Sequence, residues 1–151
     1  MRGKGGEFIA KEIVILNNMN KKVTKIHMAP PYEFEEIEMK YMLTNAWLTK
    51  RFHGLRWEKG DAAYEHLPYL LGALLSRSLI TCAGREKAQF LRKMVPGIYL
   101  HEMELTIPHQ TSGACELHEH ADDRCAEQNC RYISENLAFY ETASDHWDSS
   151  S

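Results

Sequence analysis

Residues 113–132, GACELHEHADDRCAEQNCRY, hold three of the four cysteines and two of the eight histidines. How this stretch is read decides the C-terminal third of the fold. Cys115, His118, His120, Cys125 and Cys130 are donors of the type Zn²⁺ takes, and a tetrahedral site needs four of them. The spacing C-x2-H-x-H-x4-C-x4-C differs from the usual structural-zinc patterns, in which ligand pairs two to four residues apart flank a longer loop. As a helix, the stretch would place Cys115, His118 and Asp122 on one face, and Cys125 and Cys130 could not both join them. With Leu117, Ala121, Ile133, Leu137 and Tyr140 at compatible spacing, the expectation is one long acidic helix from Ala114. Its cysteines then serve as small apolar residues, no cofactor is implied, and Zn²⁺ is the alternative that the donors suit.

Charge separates this region from the rest of the chain. From Cys115 onward nine acidic residues face two arginines, a local charge of −7. The formal total is −3, so the first 114 residues carry +4. A polyanion is repelled by the C-terminal segment, and nucleic acid is not an expected partner. The chain has 151 residues, 44% hydrophobic and 26% charged, the composition of one soluble domain. No apolar run approaches a membrane span. Four cysteines without a secretory signal point to a reducing compartment, and the cytoplasm is expected.

Upstream, Ile98–Ile107 (IYLHEMELTI) alternates apolar and polar residues with period two, the strongest strand signal in the sequence. Arg85–Met94 reads as a short basic amphipathic helix following a strand at Ser78–Ala83. Leu67, Leu71, Leu74 and Leu75 recur at helical spacing after a cap at Asp61, with Pro68 kinking or restarting the helix. Leu55–Glu58 reads as a short strand. Glu33–Phe52 is the longest helical pattern, with Phe34, Ile37, Tyr41, Leu48 and Phe52 on one face, glutamates at its start, and Lys50 and Arg51 at its end. Val23–Met28 reads as a strand closed by Pro30 and Pro31.

Residues 1–18 have two readings. Met19 opens a plausible coding start, Lys11–Glu12 can be encoded by a ribosome-binding sequence, and Glu7–Phe8 by a cloning site, so the segment reads as a leader on a bacterial or phage protein. Alternatively, Ile13–Leu16 is an edge strand paired with Val23–Met28. The expected organisation is a leader at 1–18, one globular domain at 19–143 and a disordered tail at 144–151. The order of elements predicts an α+β fold: a small antiparallel or mixed sheet with helices on one face, in a ferredoxin-like or PII-like arrangement, plus a C-terminal helix.

Tyr64, Cys82 closing a strand, and Lys87–Ala88–Gln89 opening a helix together resemble phage S-adenosylmethionine-degrading enzymes over about a third of the chain. That resemblance implies a PII-like fold with sites between subunits, and lyase or hydrolase chemistry on a small polar metabolite. Leu75 stands where such enzymes place an acidic residue, so Glu58 or Glu65 would have to substitute. Tyr64, Glu65, Glu58 and Glu102 are accordingly the candidate acid/base residues. His118, His120 and Asp122 are similar in spacing to the H-x-H-x-D of metallo-β-lactamase-like hydrolases. Asp123 replaces the histidine expected next, and the chain is shorter than that fold requires. The alternative function is a non-enzymatic interaction module, braced by zinc through Cys115–Cys130, that contacts a host protein. The expected partners are thus a small molecule or a host protein, with self-association through sheet edges or the leucine-rich helix.

Overall fold

A computed structural model describes residues 1–109, 113–120 and 123–148, the last eleven of these as backbone only. The fold is α+β, with helices and two separate strand pairs. β1 (Glu12–Leu16) and β2 (Val23–His27) pair antiparallel, Glu12 opposite His27 and Leu16 opposite Val23. A tight connection joins them, in which Asn17 N–H donates to Lys22 O, Lys21 N–H donates to Asn17 O, and Lys21 adopts a positive φ of 60°. This is the strand pairing expected as the alternative to a leader. β3 (Leu79–Ala83) and β4 (Tyr99–Met103) pair parallel. The helix between them, α3 (Arg85–Met94), carries the chain back to the same end, as parallel pairing requires.

The α+β class is as expected; among the described residues the strands form two separate pairs, which do not confirm the ferredoxin-like or PII-like arrangement. The two pairs meet through side chains rather than edge to edge. Met28 beyond β2, Leu67, Leu71 and Leu75 of α2 (Leu67–Leu75), and Phe90 of α3 are buried together with Ala10 and Val95. Ile13, Ile15, Ile26 and Ile80 of the strands pack against them. Pro68 sits in the first turn of α2, where its missing N–H has no cost, and so starts the helix without kinking it. A second cluster gathers Ile9, Ile37 and Trp57.

Three expected elements are shorter than their patterns. The strand signal of Ile98–Ile107 yields only Tyr99–Met103, because β3 ends at Ala83 and leaves later residues without a ladder partner. Glu33–Phe52 divides at Ile37 and Glu38, both extended, into a single 3₁₀ turn (Phe34–Glu36) and α1 (Met39–Arg51). Burial of Ile37 beside Trp57 holds that break. Leu55–Glu58 forms no strand, since its backbone is committed elsewhere. Leu55 O accepts from Thr49 Oγ1, and Trp57 O accepts from Lys11 Nζ.

The largest difference lies in the C-terminal third. The helix expected from Ala114 begins instead at Ala126, and α4 runs Ala126–Asp148. Two turns precede it: His118 N–H donates to Cys115 O, and Asp123 closes on His120 through both its backbone and its side chain. Arg124 N–H donates to Phe52 O at 2.7 Å, which fastens the segment to the turn after α1. Of the tail expected at 144–151, residues 149–151 lie outside the described residues. No described helix is long and apolar enough to cross a membrane.

Candidate metal centre

Four side chains from distant parts of the sequence converge where β1, the 113–120 turns and the start of α4 meet. Glu12, Cys115, His118 and Cys125 place one donor atom each within 4.8 Å of all the others. Glu12 opens β1, so its side chain projects toward α4, the helix packed on that strand. Its carboxylate accepts from Ala126 N–H at 3.4 Å and lies 3.1 and 3.2 Å from His118 Nε2 through its two oxygens. Cys115 Sγ lies 3.7 Å from Glu12 Oε1. Cys125 directly precedes α4, and its sulfur accepts from Cys115 N–H at 3.5 Å. The side chain of His118 is fully buried and that of Glu12 only 5% exposed.

The platform beneath the cluster is the turn at His53–Gly54. His118 Nδ1 bonds to His53 O. A carbonyl can only accept, so Nδ1 carries a proton and Nε2 is the ring atom that faces Glu12. Metal-binding histidines are oriented by this same kind of backbone contact. Gly54 has a φ of 64°, and a Cβ there would fall 2.0 Å from Asp123 Oδ2, so no larger residue fits without displacing the segment. Arg56 Nε to Glu119 Oε1, at 2.7 Å, ties the outer side of the turns to the same platform.

With His118 neutral, a carboxylate oxygen, an imidazole lone pair and a thiolate would all be acceptors and would repel one another unless a cation lay among them. Protons serve when no metal is bound. Burial disfavours a charged His118, but the Cys125 sulfur, the Glu12 carboxylate and the His53 carbonyl outweigh it and push its pKa up to about 10. Burial likewise opposes the Cys125 thiolate, yet His118 and the N–H groups of Cys115 and Gln128 hold it down to about 7. Cys115 is pushed up to about 12 by burial and by the charges of Cys125 and Glu12. One divalent cation replaces the His118 and Cys115 protons together at the same net charge and gives all four donors one shared partner, so the donor set suits a metal ion.

Two further buried histidine atoms, His27 Nε2 and His53 Nε2, have no hydrogen-bond partner among the described residues. His53 Nδ1 accepts from Leu55 N–H, and burial holds the ring at a pKa of about 4, so it is neutral.

Of the residues expected from sequence as metal ligands, the structure gathers Cys115, His118 and Cys125. His120 is exposed, and Cys130 Sγ donates to Val14 O at 3.3 Å outside the group. Asp122, the third residue of the hydrolase-like spacing, lies outside the described residues. Glu12 is the member of the cluster that sequence reasoning missed, because it fell within the segment read as a leader.

Two of the expected acid/base residues, Tyr64 and Glu102, line different cavities. Tyr64 lines a cavity of about 150 Å³ with Phe8, Phe90 and Lys93, and its hydroxyl accepts from Ala10 N–H. Glu102 lines another of about 300 Å³ with His101, Glu104 and Leu137. Glu58 and Glu65 are exposed. Comparison of the chain with protein-family models, with curated proteins and with solved structures finds no match.

Proposed function

We propose that this chain is a zinc-binding protein whose metal is structural, bracing a small interaction module rather than an active site. The observation that carries the reading is the convergence of Glu12, Cys115, His118 and Cys125 within 4.8 Å. Two thiolates and an imidazole favour Zn²⁺ over Mg²⁺ or Ca²⁺, which take oxygen ligands. Four protein donors fill a tetrahedral shell and leave no position for substrate, the mark of a structural site. Bound there, the metal would tie β1, the turns before α4 and α4 itself.

The face that such a module would present is supported by α1. Met39, Leu43 and Trp47 recur every four residues and are 68, 63 and 56% exposed, and the Trp47 ring stacks with that of Phe52 at 6.4 Å. An apolar stripe of this kind on a folded domain suits contact with another protein. Elemental analysis of protein purified without added metal tests the reading. One zinc per chain is expected in the natural sequence, with loss of most of it in His118→Ala and Cys125→Ser and retention in Cys130→Ser. Zinc far below one per chain, or equal zinc in all four proteins, would refute it.

A second reading, lyase or hydrolase action on a small polar metabolite such as a nucleotide or S-adenosylmethionine, draws on the cavity lined by His101, Glu102 and Glu104. A thermal-shift screen with those ligands tests it: stabilisation that Glu102→Gln abolishes would favour it, and no shift with any ligand would remove it.

A further inference from the structure

The two sulfur donors of the cluster are close together but differently sheltered. Cys125 is buried at the start of α4, with its sulfur receiving the N–H of Cys115. Cys115 is half-buried on the turn that follows Gly113. Their sulfurs lie within 4.8 Å of one another, and a disulfide needs about 2.0 Å. The described residues between them form turns rather than helix or strand, so the sulfurs can close that gap without breaking a regular hydrogen-bond ladder. Cys130 is differently placed: its thiol is engaged with Val14 O on β1. Cys82 lies on β3, outside the cluster.

Resting on the metal-binding reading, we propose that the centre is redox-controlled: a hydroperoxide oxidises Cys115 and Cys125 to a disulfide and the zinc is released. Cys115, the less buried of the two residues, reacts first. Its sulfur attacks a peroxide oxygen, the O–O bond breaks, and the departing hydroxide takes a proton to leave as water, giving a sulfenic acid. The Cys125 sulfur then attacks the Cys115 sulfur, the S–O bond breaks, and the second hydroxide leaves as water on taking another proton. Two thiolates have lost two electrons, and one peroxide has gained two electrons and two protons. His118 and Glu12 remain as only two of the four donors, too few to retain the metal.

The test uses the full chain loaded with one zinc and treated with hydrogen peroxide beside a chromogenic chelator, followed by peptide mass spectrometry. The expected result is release of one zinc per chain in step with a Cys115–Cys125 cross-link, with rebinding after thiol reduction. Cys130→Ser and Cys82→Ser should release zinc as the natural chain does. Retention of zinc under peroxide, release with a cross-link to Cys130, or release with Cys115 and Cys125 oxidised singly would each overturn the inference and leave the metal site standing. A chain that takes up no zinc before peroxide is added would overturn both.

Discussion

The β1–β2 hairpin and the β3–α3–β4 unit are both built from two five-residue strands, but they are held in opposite ways. The second is held by apolar contacts: Ala83, Ala88, Phe90, Val95 and Met103 are all buried, and α3 carries Glu86 in its first turn with Arg92 and Lys93 in its last, as its dipole favours. The first is surrounded by buried polar groups. Just before β1, Lys11 is 4% exposed, and its ammonium donates to three carbonyls, Met28 O at 2.6 Å, Trp57 O at 2.7 Å and Lys59 O at 2.5 Å. Glu12 follows at once in the cluster of four donors. One half of the molecule should thus be indifferent to metal and alkaline pH, while the other answers to both.

The sharpest way to break this comparison is to remove the polar half. A chain starting at Met19 lacks β1, Lys11 and Glu12 and loses the buried Ile9 and Ala10, so loss of cooperative thermal unfolding is expected by circular dichroism. A folded truncation would show that the hairpin is dispensable.

Leu71 is fully buried where α2 meets side chains of both units. Leu71→Ala should cost about 2–5 kcal/mol in denaturant unfolding. The cost should be the same with and without chelator, since Leu71 touches no donor; a cost that changes with metal would join the two halves energetically.

A smaller effect is expected from Lys11→Met, about 2 kcal/mol, because three buried carbonyls lose their donor. The same variant carries a pH signature. Burial lowers the Lys11 pKa from 10.5 to about 8, against the opposing charge of Glu58. Between these values the unfolded chain binds more protons than the folded one, so this group makes stability rise as pH goes from about 8 to 10.5 and fall again on the way down. The variant should lack that rise, which parallel melts across the window would read; an equal rise in both proteins would place its origin elsewhere.

What was legible in the sequence follows the same division. Arg85–Met94 matches α3 residue for residue, and the leucine spacing marks α2, because both bury one face at helical period and need only local information. The donor cluster was legible in part: Cys115, His118 and Cys125 stand out as donor types, but a regular-helix reading separates them. Their convergence depends on turns fixed by tertiary contacts, among them His118 on the carbonyl of His53 and Arg124 on the carbonyl of Phe52. Backbone carbonyls leave no trace in a sequence. Glu12 was hidden for a different reason: it lies in the segment read as a leader, and its partner is over a hundred residues away.

The zinc-edge X-ray absorption spectrum of the loaded protein tests the central claim most directly. Two sulfur scatterers at about 2.3 Å and two nitrogen or oxygen scatterers at about 2.0 Å are expected, one of the latter lost in Glu12→Ala. A shell of oxygen alone, or an unchanged shell in that variant, would contradict a centre built from Glu12, Cys115, His118 and Cys125.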